Sequence, residues 1–200
     1  MGARILHGQS EPEITTHFTG RVRLVSKQPE AVKEPWQTQN NVRKVDASKV
    51  YRVFFHGPAY RVIDSAWRTG EKVIALFARN LPANHVPSDL PSLVSPRLVE
   101  LSFQTGSLSG LALESRLGLP HAVREVRIIA LPGNGTDTAL FSMISSNPDG
   151  SYDAKVMDEE GNAYVIVRGY QTMNLPDLVA ADLLEPVQDA LQVVIQQTRQ

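Results

Sequence analysis

SPRLVELSFQTGSLSGLALESRL, residues 95–117, is the stretch on which the fold of this chain turns. Ser95 suits a helix N-cap, and Pro96 suits the first helical position, where a missing N–H costs nothing. Beyond them Leu98, Val99, Leu101, Phe103, Leu108, Leu111 and Leu113 are apolar almost all round, which predicts a buried helix and not a surface one. Ser102, Gly106, Ser107, Ser109 and Gly110 are small enough to let another backbone come close, although each glycine costs about 1 kcal/mol of helix propensity. Glu100 and Gln104 are four apart and so share a face. A carboxylate in the first turn of a buried helix is favoured by the helix dipole and disfavoured by loss of water. That conflict makes Glu100 the first functional candidate; the plainer alternative is a helix start that leaves the glutamate near the surface.

Outward from the helix, the flanking segments read as strands. Upstream, Tyr60–Trp67 and Lys72–Phe77 form a hairpin across Arg68-Thr69-Gly70-Glu71, and Leu81–Ser95, with Pro82, Pro87 and Pro91, is a loop leading into the helix. A short helix is expected within Val45–Val53, started by Asp46 or Ser48. Further back, Ile14–Lys27 alternates well enough for a strand, with Phe18, Val22 and Leu24 on one face, and residues 28–41 read as a linker or long surface loop in which Trp36 is an odd member. Downstream, His121–Leu131, Ala139–Ser146, Tyr152–Met157 and Ala163–Gln171 are four more strands, separated by turns at 132–135, 147–150 and 159–162. Asp182–Gln197 carries Leu183, Leu184, Val187, Leu191, Val194 and Ile195 at helical spacing, a helix that caps the domain, pairs with a partner helix or begins a linker.

The sum is an α+β chain: an antiparallel sheet of about six strands with one long buried helix inserted after the first hairpin. A curved sheet wrapped around one central helix is the hot-dog architecture, one of several α+β options open to this pattern. The expected division is an N-terminal strand and linker over 1–41, a hot-dog domain over 42–178 and a C-terminal helix over 179–200.

Bulk properties narrow the function. The chain has 200 residues, a formal net charge of −1 and no cysteine. That length suits one domain with tails. The absence of cysteine excludes disulfides, thiolate catalysis and cysteine-based metal sites. Charges are interspersed, with no basic stripe, RNA motif or zinc spacing, so nucleic acid is not an expected partner and no metal site is indicated. No apolar run is long enough for a membrane span and the N-terminus lacks a signal-peptide pattern, so the expectation is a soluble, cytoplasmic protein. Ser48, Ser92 and Ser107 lack a nucleophile-elbow setting.

Two motifs carry a family resemblance. Residues 51–67, YRVFFHGPAYRVIDSAW, are similar to the "GPxF" segment that opens the second hot-dog half of polyketide synthase dehydratase domains, with Tyr60 where that family usually has Phe. SPRLVELSFQ resembles the same family's "hPxxLDxxxQ" helix, with Glu100 at the catalytic acid position and Gln104 at the following amide. Order and spacing agree over roughly residues 45–176. The resemblance implies a dehydratase-type hot-dog domain that acts on 3-hydroxyacyl thioesters in polyketide or polyunsaturated fatty-acid synthesis. It implies acyl carrier protein as partner, pairing as a homodimer or with another hot-dog half, and no cofactor beyond the phosphopantetheine that carries the substrate.

Two departures qualify it. The acid is Glu where modular polyketide dehydratases have Asp, which is the pattern of stand-alone fatty-acid dehydratases. The family's catalytic histidine lies in an HxxxGxxxxP motif of the first hot-dog half, which His7, His17, His56, His85 and His121 all fail. Residues 13–27 could be the closing strand of such a first half, which would make the chain a fragment or an unusual single-half protein.

Dehydration needs a base for the C2 proton and an acid for the C3 hydroxyl. The resemblance makes Glu100 the acid and Gln104 the group that orients it or a bound water. For the base, His85 lies fifteen residues before Glu100 in NHVPSDLPSLVSPRLVE, a layout similar to the HFPxxPxxPGxxxxE of stand-alone fatty-acid dehydratases; the alternative is a plain loop histidine. His56, beside Gly57-Pro58 at a place where the polyketide family often has Tyr, either lines the pocket or is a half-buried turn histidine. The catalytic candidates are therefore Glu100 and His85, and the substrate-binding candidates His56, Gly57, Tyr60 and Gln104. The competing functions are a non-catalytic hot-dog half that binds acyl chains or mediates dimerisation, and a hot-dog thioesterase.

Overall fold

The computed structural model describes residues 2–4, 13–16, 19–35, 41–87, 94–132 and 138–191. The expectations for His7, His17, Phe18, Trp36, Pro91, the 133–135 turn, Val194 and Ile195 lie outside them. The elements in chain order are β1 (Gly2–Arg4), β2 (Glu13–Thr15), β3 (Lys44–Asp46), α1 (Ala47–Val53), β4 (Ile63–Thr69), β5 (Lys72–Phe77), α2 (Pro96–Glu114), β6 (Arg116–Ile128), β7 (Leu140–Ser146), β8 (Tyr152–Asp158), β9 (Ala163–Leu178) and α3 (Ala181–Leu191). Seven strands form one antiparallel sheet in the order β3-β4-β5-β7-β8-β9-β6, while β1 and β2 pair separately.

The long helix α2 is where the sequence places it. Pro96 takes the first position, and the Ser95 carbonyl, not its side chain, accepts the N–H groups of Leu98 and Val99. The helix ends at Glu114, three residues short of the expected Leu117, because Ser115 turns left-handed (φ 57°) and its N–H closes on Leu111 O. Leu98, Leu101, Leu108 and Leu111 are at most 1% exposed, and every strand from β4 to β9 reaches this helix. Burying each leucine contributes about 1.5–3 kcal/mol, so α2 is the core around which the sheet is laid, in the hot-dog arrangement. The small residues admit aromatic side chains and not a second backbone: a Cβ on Gly106 would lie 2.9 Å from the Tyr170 ring, and one on Gly110 3.2 Å from the Tyr152 hydroxyl.

Several boundaries differ from the expected ones. The strand expected over 14–27 shrinks to Glu13–Thr15; Val22 and Leu24 are 85% and 84% exposed, since neither finds an apolar surface to cover. The strand expected from Tyr60 starts at Ile63, because Pro58–Tyr60 forms a 3-10 turn. Strand β6 begins five residues before His121 and β9 runs seven residues past Gln171. They pair with each other throughout, and register shifts at 116/118 and 120/122 absorb Gly118 and Pro120, the two residues that read as breakers.

At the other end, α1 begins at its Asp46 cap, whose side chain accepts the Lys49 N–H. Helix α3 buries Leu184, Val187, Ala190 and Leu191 against α1, α2, β3 and β4. The outer face of the sheet carries a smaller cluster, with Trp67 set edge-on to Phe141 at 6.1 Å. Among the described residues no helix is long and apolar enough to cross a membrane.

Candidate active site

One stripe of α2 faces an indentation in the protein. Glu100, Phe103, Gln104 and Ser107 follow the i, i+3, i+4, i+7 spacing of one helical face, and all four line a cleft with an empty volume of about 310 Å³, part of it open to solvent. The opposite wall is Leu117–Pro120, the irregular start of β6, and the rim is Phe54, Phe55 and His56. The lining is therefore apolar with a few convergent polar groups, the usual composition of a small-molecule site.

Glu100 lies in the second turn of α2, not the first, because the helix begins at Pro96. It is beyond the free N–H groups of the helix start, so the helix dipole contributes little; specific partners hold it instead. Its side chain is 24% exposed, and Oε1 lies 3.0 Å from His56 Nε2 and accepts an N–H from Gln104 Nε2 at 3.0 Å. The second carboxyl oxygen has no hydrogen-bond partner among the described residues.

The His56 ring is held on several sides. It stacks on Phe55 (centroids 5.1 Å, 8° between planes), leans on Phe54 at 5.6 Å and meets Tyr51 edge-on at 6.4 Å. Nδ1 is enclosed and has no partner among the described residues, so Nε2 is the nitrogen left for chemistry. The segment bearing it is tied to α2: Arg97 Nε donates to Ala59 O at 2.9 Å, and Gln104 Nε2 donates to Tyr60 O at 2.9 Å. Arg61 Nε donates to His56 O at 3.1 Å, and the 57–60 turn closes with Tyr60 N–H on Gly57 O at 2.9 Å.

Behind the cleft, the Tyr51 hydroxyl accepts the Ile63 backbone N–H and donates to Gln104 Oε1, both at 2.8 Å. Burial pushes this hydroxyl well above the ordinary phenol range, and the nearby Glu100 charge pushes the same way. Deeper still, Phe103 stacks on Tyr170 at 4.5 Å. The Tyr170 hydroxyl, pushed up to about 12 by burial, lies 3.5 Å from Ser107 Oγ.

The structure thus brings together His56, Glu100, Gln104 and the Tyr60 carbonyl. It does not bring in His85, which is exposed with its Nδ1 2.9 Å from the neighbouring Asn84 Oδ1. The imidazole that meets the acid is instead His56, beside the Gly57-Pro58 turn and 29 residues before His85. Gly57 and the Tyr60 ring are not part of the cleft lining, and the space beside Gly57 is open. Sequence reasoning missed Tyr51, Phe103, Ser107 and the Leu117–Pro120 wall. Phe103 and Ser107 were detectable as the continuation of the Glu100–Gln104 face. Tyr51 and the β6 wall depend on long-range packing that no local spacing signals.

Known proteins share the fold. Residues 27–182 match the family model of the polyketide synthase dehydratase N-terminal domain. The chain is 29% identical over 136 residues to polyketide synthase ThaG of Burkholderia thailandensis, an alignment that covers 62% of this chain and 2% of that protein. Among solved structures, the trans-AT PKS dehydratase domain from Brevibacillus brevis matches with a TM-score of 0.52 at 20% identity, over 66% of this chain and 48% of that one. The dehydratase domain from the CurF module of curacin polyketide synthase matches with a TM-score of 0.53 at 14% identity, over 72% and 55%. At these identities the solved structures show a common fold, and the chain spans about half of their length. The family description names the N-terminal domain, whereas the motifs around Gly57 and Glu100 resemble the second half.

Proposed function

This chain belongs to the polyketide synthase dehydratase N-terminal domain family, and from that membership and the cleft we propose that it acts as a dehydratase-type hot-dog domain. Its substrates would be 3-hydroxyacyl thioesters presented by acyl carrier protein in polyketide or polyunsaturated fatty-acid synthesis. The motifs around Gly57 and Glu100 support equating it with the second half of such a dehydratase, paired with a second copy or another hot-dog half. The observation that carries the reading is the Glu100 carboxyl, largely withdrawn from water on the central helix, with an imidazole nitrogen at 3.0 Å in an apolar cleft.

The chemistry requires two proton transfers at adjacent carbons. His56 Nε2 takes the C2 proton, the electrons of that bond form the C2=C3 double bond, and the C3–O bond breaks as Glu100 protonates the departing oxygen. Enoyl thioester and water leave behind an imidazolium and a carboxylate. At a separation of 3.0 Å the pair leaves no room for substrate between its members, so the side chains part around the C2–C3 unit and meet again afterwards. The resting contact is then the geometry in which the imidazolium returns its proton to Glu100. Gln104 donates to the carboxyl and stabilises it while ionised. The base role that the resemblance to stand-alone fatty-acid dehydratases implied for His85 passes to His56.

A second reading has its own support. The pair is closed on itself and Nδ1 has no acceptor among the described residues, which suits a static hydrogen-bonded pair in a half-domain that holds an acyl chain unchanged. One experiment separates the two. The protein is incubated with a 3-hydroxyacyl pantetheine thioester and enoyl formation is followed by absorbance. Turnover by wild type that drops about 10²–10⁴-fold in Glu100→Gln supports the dehydratase. Binding without turnover, or equal turnover by the variant, supports the non-catalytic half, and release of free thiol identifies a thioesterase.

A further inference from the structure

We propose that Tyr51 is a positioning residue of this site: its hydroxyl, oriented by the Ile63 backbone N–H, holds the Gln104 amide so that an N–H and not a carbonyl faces Glu100. What this does for catalysis rests on the dehydratase reading; the hydrogen-bond order itself does not.

Each link in the network has a fixed direction. The Ile63 N–H, at the start of β4 and fully buried, can only donate, and it donates to the Tyr51 oxygen at 2.8 Å. The single proton of that hydroxyl is then free for Gln104 Oε1, also at 2.8 Å. With its carbonyl engaged there, Gln104 must present its NH2 on the other side, where two acceptors wait: Tyr60 O at 2.9 Å and Glu100 Oε1 at 3.0 Å. A flipped amide would put a carbonyl against the Tyr60 carbonyl and the Glu100 carboxyl, acceptor against acceptor. Two groups therefore fix the orientation: the Tyr60 carbonyl, which no substitution removes, and the Tyr51 hydroxyl, which one does. Because burial keeps that hydroxyl protonated, the order holds wherever the protein is folded.

The network spans four elements. Tyr51 comes from α1, Ile63 from β4, Tyr60 from the turn between them and Gln104 from α2. It connects the backbone of the sheet to the carboxyl through three hydrogen bonds. In the mechanism above, the donor that Gln104 presents counts most once Glu100 has given up its proton. Tyr51 thus acts on the chemical step through Gln104, without touching substrate: it does not line the cleft.

The test uses Tyr51→Phe, which keeps the ring that packs edge-on to Phe54 and lies under Arg61. The first readout needs no activity. With glutamine side chains labelled with ¹⁵N, the two Gln104 amide protons of the wild type should be well separated and slow to exchange with solvent. In Tyr51→Phe they should move and exchange faster. The second readout uses the thioester substrate: kcat should fall about tenfold with KM within about twofold, the pattern of an interaction that matters after binding. Wild-type Gln104 protons that exchange as freely as those of a solvent-exposed glutamine would overturn the proposal, even if the variant failed to fold. So would signals unchanged by Tyr51→Phe. A wild type without turnover would count against the dehydratase reading, and the amide signals would still decide on Tyr51.

Discussion

Asp158 and Glu100 are both carboxylates withdrawn from solvent, and they are treated in opposite ways. Asp158, at the end of β8, accepts the backbone N–H groups of Glu160 and Asn162 (3.0 and 2.9 Å), the Asn162 side-chain amide (2.9 Å) and the Tyr164 hydroxyl (3.2 Å). Both of its oxygens are engaged, and these four donors come from the six residues that follow. Glu100 has its two partners on one oxygen, Gln104 from the next turn of its own helix and His56 from 44 residues away, and its other oxygen faces a cleft with no partner among the described residues. A saturated carboxylate is a structural staple; one with an unused oxygen and a titratable neighbour can exchange a proton. Burial alone does not distinguish the two, whereas the count and origin of donors does.

The sharpest way to break that contrast is to remove the titratable neighbour. His56→Gln should lower thioester dehydration about 10²–10⁴-fold, whereas His85→Gln, which changes an exposed ring bonded to Asn84, should stay within about twofold. Initial rates of enoyl formation for the two variants decide it. The opposite result would return the base to the proline-rich loop and leave the His56–Glu100 contact as a structural pair.

Removing the saturated carboxylate should do the reverse. Asp158→Ala strands several donors at a buried turn and should cost about 2–4 kcal/mol of stability, read from urea denaturation, with activity per folded molecule unchanged. Glu100→Gln, which keeps shape and hydrogen-bonding capacity, should stay within about 1 kcal/mol of wild type. A Glu100 variant as destabilised as the Asp158 one would erase the distinction.

The same β8–β9 turn anchors the segment before the sheet. Glu34 N–H donates to Gly161 O at 3.0 Å, Ala163 N–H donates to Val32 O at 2.8 Å, and the Glu34 carboxylate pairs with Lys155 and Lys72. Gly161 has φ 82°, and a Cβ there would overlap the Glu34 carbonyl oxygen. Gly161→Ala should therefore cost about 1–3 kcal/mol and raise proteolytic cleavage within residues 28–35, again without touching the rate per folded molecule. Equal cleavage of variant and wild type would show that this clasp contributes nothing.

What the sequence discloses follows the same divide between local and distant partners. The α2 helix, the hairpin at Gly70, the Asp46 cap and the Glu100–Gln104 face are all set by residues within four positions of each other, and all are where spacing puts them. The Asp158 turn belongs to this class too: Asp158, Gly161 and Asn162 sit within one turn. The Glu100–His56 contact joins residues 44 apart, and no periodicity encodes it. The proline-rich loop advertised His85 by resemblance, while His56 read equally well as a turn residue. Strand β6 was legible only in part because Gly118 and Pro120 mark breaks locally, and the pairing with β9 that overrides them is a tertiary effect. In the stretch 19–27 the error ran the other way: alternation was present, but no surface exists among the described residues for Val22 and Leu24 to cover.

The smallest expected effect concerns acid. Burial pushes the Asp158 carboxyl up, but the Asn162 side chain and backbone, Tyr164 and the Glu160 N–H more than offset that and hold it below the ordinary carboxylate range. A carboxyl whose folded value is depressed contributes stability that is fully present above its unfolded value, about 3.9, and is lost as pH falls through the folded value. Asp158→Asn should therefore be less stable than wild type at neutral pH, with the gap narrowing below about pH 4 as the wild-type carboxylate is protonated. Glu34, held down first by its hydrogen bond from Lys155, and Asp46, held down first by Ser48, lose their own contributions in both proteins, which lowers both curves and cancels from the gap. Urea midpoints at intervals between pH 3 and 7 measure it. Parallel curves for the two proteins would mean that the four donors hold the turn equally well around a neutral side chain, and that what separates Asp158 from Glu100 is hydrogen-bond number alone and not charge.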